Sequence, residues 1–257
     1  MTAPAAPSFE TRAASATQRV ITQARFESVA ILRNGEQLLV SLALPAMVLL
    51  GLALTTVPPL GEGRRIDVAV PGVLALCILS SAFTGQAIAT GFDRRYGVLR
   101  LLGSTPLGRR GLLAAKALAV LVVVLLQFAA VGALGLGLGW EPHWAGIPAA
   151  IVTTLLGTWA FVALALLLGG TVRAEGVLAL ANLVWVALLA LGGVVVPVGL
   201  LPPALQPVVS LLPSGALGEA MRAALASGQA DSTAWLVLLV WGTGATALAS
   251  RFFLWSD

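Results

Sequence analysis

The sequence has 257 residues, of which 58% are hydrophobic and only 10% are charged, and its mean hydropathy is +0.96. Soluble globular proteins carry about 25% charged residues, so this composition excludes a soluble protein and predicts an integral membrane protein. The net charge of +4 comes mostly from arginines that flank apolar runs, where arginine contacts lipid head groups, and we therefore predict membrane lipid and no nucleic acid as a partner. The single cysteine, Cys77, excludes a disulfide within the chain.

The N-terminal region changes character near residue 19. Residues 1–18 are rich in Ala, Ser, Thr and Pro and are predicted to be a disordered cytoplasmic tail, without the pattern of a signal peptide. Residues 19–257 are predicted to form one membrane domain. From Arg19 to Glu36, one face at helical spacing predicts an amphipathic helix along the membrane interface, and the stripe on that face consists of Val20, Ile21, Ala24, Ser28, Ile31 and Leu32. An ordinary polar lead-in to the first span is the alternative.

Six apolar runs are long enough to cross a hydrocarbon core of about 30 Å, which needs about 20 helical residues. An isolated span in lipid has to satisfy its own backbone hydrogen bonds, so all six are predicted to be helices. Twelve basic residues lie on the side of the two termini and three on the other side, which predicts that both termini are cytoplasmic. The predicted spans are Leu38 to Val57, Val68 to Thr90, Leu112 to Leu138, Ile147 to Gly170, Val177 to Val196 and Ala234 to Leu254.

A charged segment from Gly91 to Gly111 separates the second and third spans. Asp93 is predicted to open a short helix that ends at Gly103, with Val98, Leu101 and Leu102 on one face. Thr105 and Pro106 are predicted to be the N-cap and first residue of the next helix. A compact amphipathic helix between two spans predicts a contact with something outside the membrane.

The usual signatures of catalysis are missing from the sequence. It has one His and one Cys, no HExxH or CxxC motif, and no phosphate-binding GxxxxGK[ST] motif. No Asp, Glu or His lies well inside a predicted span, which argues against an intramembrane protease and an ion-coupled carrier. We therefore predict no catalytic residue, no metal site and no cofactor bound by this chain.

A few uncharged polar residues do lie within the predicted spans. They could line a substrate pathway or could bond to neighbouring helices, and both interpretations stay open. Uncharged polar groups in an apolar cavity would suit a hydrophobic or amphiphilic substrate. The candidate pathway residues are Gln86, Gln127, Asn182 and Trp185.

The segment from Pro197 to Thr233 is apolar but is broken by prolines, which predicts a broken external helix pair between spans five and six. Ser214 is predicted to cap a helix in which Leu217, Met221, Ala224 and Leu225 form one stripe. We hypothesise an outer gate in which Leu217 and Met221 close over an exit while Glu219 and Arg222 face water. A passive anchor at the membrane surface is the alternative.

Taken in order, the lead-in RVITQARFESVAILRN, the segment DRRYGVLRLLGSTPLGRRGLLAAKAL and the external segment LPPALQPVVSLLPSGALGEAMRAAL resemble the membrane permease subunit of type-2 ABC exporters, from Arg19 to Asp257. The resemblance implies an all-α, six-span permease that is paired with a second permease copy, identical or homologous. It also implies two copies of a separate ABC-type ATPase that binds ATP and Mg²⁺. Arginine-rich, lysine-poor usage resembles that of a high-GC bacterium, so the expected location is a bacterial cytoplasmic membrane.

In such permeases, the cytoplasmic segment after the second span carries a coupling helix that docks on the ATPase. Here that helix corresponds to Asp93 to Leu102, and Gly97 and Thr105-Pro106 match recurrent family positions, whereas Arg100 departs from the acidic residue of many members. A membrane-embedded lipid-modifying enzyme and a non-transporting assembly factor are the alternative functions. The residues that the resemblance assigns to partner binding are Asp93, Arg94, Arg95, Tyr96, Gly97, Val98, Leu99, Arg100, Leu101, Leu102, Thr105 and Pro106.

Overall fold

A computed structural model describes residues 14–61 and 63–255 of the chain. These residues form an all-helical protein with no β-strand among them, which confirms the predicted fold class. The α-helices are α1 Ala16–Arg33, α2 Gly35–Leu54, α3 Arg65–Ile78, α4 Gln86–Arg95, α5 Val98–Gly103, α6 Gly108–Gly137, α7 Ile147–Thr171, α8 Ala174–Leu191, α9 Gln206–Ser210, α10 Pro213–Ser227 and α11 Ser232–Phe252.

Five helical stretches in the described part of the chain are long and apolar enough to cross a membrane: Arg65–Arg95, Gly108–Gly137, Trp144–Thr171, Ala174–Leu191 and Ser232–Phe252. The bent pair of α1 and α2 makes a sixth if it is counted as one span. The long apolar runs thus locate the spans to within a few residues. The protein is a multi-pass membrane protein.

The second span is a composite element rather than one regular helix. Residues Leu79–Gly85 between α3 and α4 form a π-helix, in which the backbone bonds run from residue i to residue i+5. The span also continues to Arg95, five residues beyond the predicted end at Thr90. Most of its apolar side chains are buried, so this span forms the centre of the protein.

Helix α1 begins at Ala16, three residues before the start predicted at Arg19. A capping box explains this start, because Ser15 Oγ accepts a hydrogen bond from the Gln18 amide and Gln18 Oε1 accepts one from the Ser15 amide. Ala24 and Ser28 are buried as the predicted stripe requires, whereas Ile21 from the same stripe is 56% exposed. Of the predicted disordered tail at residues 1–18, residues 1–13 lie outside the described residues, and residues 16–18 belong to α1.

Helix α7 packs on α4, α10 and α11 and is apolar on all sides. Close approach at its end depends on Gly169, where an added Cβ would lie 2.7 Å from the Ala87 carbonyl oxygen of α4. Small residues allow helices to approach this closely in membranes, where packing replaces the hydrophobic effect as the driving force between helices.

The segment between α8 and α11 contains a 3-10 turn, Val198–Leu200, followed by α9 and α10. The predicted stripe on α10 is real, since Leu217, Met221, Ala224 and Leu225 are all buried. The predicted cap is wrong. Leu212 is the N-cap and Pro213 occupies the first turn, and the Ser214 hydroxyl is buried and receives no hydrogen bond from the described residues.

Candidate functional site

The segment between the second and third spans turns at Gly97, which has φ +77 and connects α4 to the short helix α5. Asp93 was predicted to open this helix, but it lies in the last turn of α4, because the second span continues through it. The predicted end at Gly103 is confirmed. The left-handed conformation is one that glycine adopts without strain, so Gly97 separates the two helices.

Helix α5 presents a different face from the one its periodicity predicts. Leu99 is completely buried and Leu102 packs against the core, whereas Leu101 is 71% exposed. Tyr96, just before the helix, is 73% exposed and stacks on Phe92. We call Tyr96, Arg100 and Leu101, which are all exposed, the outer surface of α5.

Arg94 belongs to the interior and not to this outer surface. Only 4% exposed, it donates hydrogen bonds to the carbonyl oxygens of Gly169 at 3.2 Å and Val172 at 2.6 Å, which are unpaired groups at the end of α7. The neighbouring Arg95 is exposed and forms an ion pair with Glu175 of α8. Arg94 and Leu99 are thus buried within the protomer and do not belong to the outer surface of α5, and their assignment to partner contact stays a prediction.

Helix α6 begins at Gly108, so Pro106 is not its first residue as predicted. Thr105 Oγ1 donates a hydrogen bond to the Leu102 carbonyl at 2.6 Å and also accepts one from the Leu107 amide at 3.4 Å. Thr105 thus closes α5 and steadies the turn instead of capping α6. The Pro106 carbonyl accepts a hydrogen bond from Arg19 of α1 at 2.6 Å, which ties the turn to the N-terminal helix.

A cavity of about 380 Å³ lies between α1, α2, the second span, α5, α6 and α8, and Val98 and Leu102 are the α5 residues that line it. Three of the four candidate pathway residues, Gln86, Gln127 and Trp185, line this cavity. Asn182 does not, because it is exposed and donates a hydrogen bond to the Leu178 carbonyl of its own helix at 2.9 Å. The volume is within the range of ligand pockets, about 300–1,000 Å³.

The π-helix brings the polar residues of the second span to this cavity. Ser81 and Gln86 are five residues apart, which would place them about 140° apart on an α-helix. The i to i+5 bonding of the π-helix stacks them instead, and both line the cavity. Ser81 donates a hydrogen bond to Gln127 Oε1 at 3.0 Å, and Gln127 Nε2 donates one to the Ser41 carbonyl of α2 at 2.9 Å.

One end of the cavity carries a buried ion cluster that the sequence did not predict. Lys116 of α6 is 2% exposed, and its Nζ lies 3.2 Å from Glu27 Oε2 of α1 and 3.1 Å from Asp93 Oδ2 of α4. The only sequence signal was the position of Lys116 inside an apolar run. The cluster joins three separate helices where α5 begins.

The proposed outer gate is packed more tightly than the sequence suggests. Leu217 and Met221 are completely buried, so both are core residues of the protomer. Arg222 was expected to face water but is 6% exposed, and it donates hydrogen bonds to the Gly193 and Val194 carbonyls after α8. Glu219 Oε1 accepts hydrogen bonds from Arg222 and from the Val198 amide. The gate itself stays a prediction.

Within residues 14–61 and 63–255, no group of three His, Cys, Asp or Glu side chains is placed to hold a metal ion. Comparison with protein families gives a match over residues 36–251 to a model described as ABC-2 family transporter protein. The match covers α2 through most of α11 and therefore includes every helix described around the cavity except α1. A comparison with curated proteins found no match.

Proposed function

This chain belongs to the ABC-2 transporter family, and we propose that it is the membrane subunit of an ABC exporter that is driven by ATP hydrolysis in a separate subunit. As a member of this family it is a transmembrane transporter component and not itself a catalyst. The partner would bind ATP and Mg²⁺, since this chain has no phosphate-binding motif of the GxxxxGK[ST] type.

The cavity is the observation that carries the proposal. It is large enough for a small organic molecule and is bounded mainly by apolar side chains, with a few polar groups at defined positions. These properties favour a hydrophobic or amphiphilic substrate such as a drug or a lipid-like compound. Gln86, Gln127 and Trp185 would orient it.

Coupling to the ATPase is proposed at the outer surface of α5. Tyr96 and Leu101 are large apolar residues exposed outside the spans, which is a costly arrangement in water unless a partner covers them. Behind them, the buried Leu99 and the Lys116 cluster connect this surface to α1 and α6. A push on α5 would thus reach the cavity, whose wall includes Val98 and Leu102 of this helix.

Two such protomers are proposed to form the complete transporter, with α2 and α8 beside the shared pathway. Both helices expose many apolar residues in one protomer, including Leu39 at 66% and Leu183 at 65%. The proposed orientation places both termini and α5 in the cytoplasm of a bacterial cell, and α9 and α10 outside.

The test is purification of the tagged full-length chain from its native membrane in mild detergent. We expect an ATPase with a Walker motif to co-purify, in a complex that contains two copies of each subunit. The double variant Tyr96→Asp/Leu101→Asp should insert normally but lose the bound ATPase activity, because two carboxylates replace the apolar contact.

Leu254→Asp is the matched control. Leu254 is 53% exposed and follows the last helix, where its amide bonds to the Gly170 carbonyl, and it lies outside α5. This variant should retain the ATPase. Normal ATPase binding by Tyr96→Asp/Leu101→Asp would refute docking at α5, and a chain that exports without any ATPase would refute the proposed function.

A further inference from the structure

Gln86 lines the cavity with a side-chain oxygen that no described residue satisfies. It is 5% exposed, and among the described residues its Oε1 accepts no hydrogen bond. A buried acceptor without a donor is unfavourable, so a donor group of a ligand would bind there. The other amide in the wall, Gln127, is by contrast bonded to both Ser41 and Ser81. Rotation of its terminal amide can turn Gln86 towards a ligand.

The charges that line the cavity do not balance. Within the described part of the chain, Lys116 is the one cation there and Glu27 and Asp93 are two anions, so the lining carries a net charge of −1. Glu27 is fully engaged, since Oε1 accepts from Gln23 and Oε2 from Lys116. Asp93 accepts from Lys116 through Oδ2 alone among the described residues. A second cation would therefore be favoured beside Asp93.

The spacing of these groups defines the shape of a ligand. Gln86, Ala89 and Asp93 stand at i, i+3 and i+7 on α4 and all line the cavity. Seven residues of helix span about 10 Å. The wall between the two polar groups is apolar, with Ala89 on α4 and Val120 and Val123 on α6.

We propose that this cavity, inside a single protomer, binds an amphiphilic organic cation. Its ammonium group lies beside Asp93, its apolar body runs along Ala89 and Val123, and a hydrogen-bond donor at the far end of that apolar body bonds to Gln86. The inference rests on the proposed function in treating the ligand as a transported substrate, and it narrows that substrate from amphiphiles in general to cations.

Dansylcadaverine is a suitable probe, because it carries an ammonium group, an apolar chain and a sulfonamide N–H before its fluorophore. Binding is measured by fluorescence on the purified full-length chain in lipid nanodiscs without ATPase, after subtraction of empty nanodiscs. The probe should bind about tenfold more tightly than its neutral N-acetyl derivative, since only the ammonium group can form a charge-assisted hydrogen bond with Asp93.

Two variants test the two polar contacts separately. Asp93→Asn should weaken binding of the probe about tenfold and leave the N-acetyl derivative unaffected, whereas Gln86→Leu should weaken both compounds several-fold. Glu175→Gln is the control, because Glu175 is an exposed carboxylate that pairs with Arg95 and does not line the cavity. It should bind the probe as the unmodified protein does.

Equal binding of the charged and neutral compounds would overturn the proposal, as would tighter binding of the anionic dansyl-aminohexanoate. Unchanged affinity in Asp93→Asn and Gln86→Leu would also overturn it, provided that each elutes as a single species and keeps its melting temperature. If one variant misfolds, the other decides. The binding assay contains no ATPase, so its result is independent of the co-purification test. If the probe binds but no ATPase co-purifies, only the exporter assignment is refuted. If an ATPase co-purifies but the probe does not bind, only this inference is refuted.

Discussion

Lys116 is the only lysine of the chain and one of its most completely buried large side chains. A buried ammonium is tolerated because two carboxylates from two other helices contact it, and the attraction offsets the cost of removing the charge from water. The cluster therefore fixes the relative position of α1, α4 and α6. Its net contribution to stability is small compared with the cost of breaking it.

Replacing Lys116 tests whether breaking the ion cluster costs more stability than the intact cluster contributes. Lys116→Met leaves two carboxylates near each other without a cation, and we expect the free energy of unfolding to fall by about 3 kcal/mol. The measurement is the thermal unfolding midpoint of the purified protein in one detergent.

The matched control removes the carboxylates as well. The triple variant Glu27→Gln/Asp93→Asn/Lys116→Met has no charge left in the cluster and should recover most of the lost stability. A melting temperature that Lys116→Met leaves unchanged would show that the cluster does not hold these helices together.

Residue spacing alone could not reveal this cluster. Glu27 and Lys116 are 89 positions apart, and they meet because α1 packs along α6. The sequence identifies Gln86 and Gln127 as candidates because few polar residues lie within the spans. That both line one cavity depends on how the helices pack, which residue spacing does not reveal. Asn182 had the same sequence signal, yet it turns back to its own helix, as a short amide side chain can anywhere on a helix surface.

Arg222 is the side chain that connects helix α10 to the bend after helix α8. Its guanidinium donates hydrogen bonds to the Val194 carbonyl at 2.8 Å, the Gly193 carbonyl at 2.7 Å and Glu219 Oε1 at 2.8 Å. Gly193 and Val194 follow the end of α8, where their carbonyls have no partner within a helix. A side chain therefore has to satisfy them. The segment between α8 and α10 is thus held by a few charged hydrogen bonds.

Arg222→Met keeps a long side chain but removes all the donors. We expect a loss of about 2–3 kcal/mol in stability, because two buried carbonyls lose their partners. Limited proteolysis should then cut faster between residues 192 and 212. Arg173→Met, at an exposed arginine, is the control and should change neither property. Equal protease resistance of both variants would contradict this account.

Helix positions followed directly from the sequence, because a run of about 20 apolar residues in lipid has no other stable structure. Helix starts were less predictable where a local signal competed with tertiary contacts. The Thr105 hydroxyl donates its hydrogen bond to the Leu102 carbonyl and does not cap α6. Ser214 is buried, and Pro213 occupies the first turn of α10. The π-helix at Leu79–Gly85 has no composition that distinguishes it from an α-helical span.

For the whole molecule, the distribution of arginine predicts which side faces the cytoplasm. In a Cys77→Ala background, Ser227→Cys should react with a membrane-impermeant thiol reagent in intact cells, whereas Ser15→Cys should react only after the cells are opened. Both serines are exposed in the protomer, so accessibility within the protein does not limit either reaction. Labelling of Ser15→Cys in intact cells would reverse the proposed orientation.

The π-helix in the second span has a consequence for how the cavity tolerates insertions and deletions. An α-helical turn needs about 3.6 residues, so a chain with one residue fewer in this stretch could close as an uninterrupted α-helix. Ser81 and Gln86 would then be four residues apart and about 40° apart on the α-helix, so Gln86 and Asp93 would still face the cavity. The π-helix therefore absorbs one residue more than a regular helix needs, and the residues after it keep their orientation. Loss of one codon there would shorten the span without turning its inner face, whereas the same loss after Gln86 would turn Asp93 by about 100°.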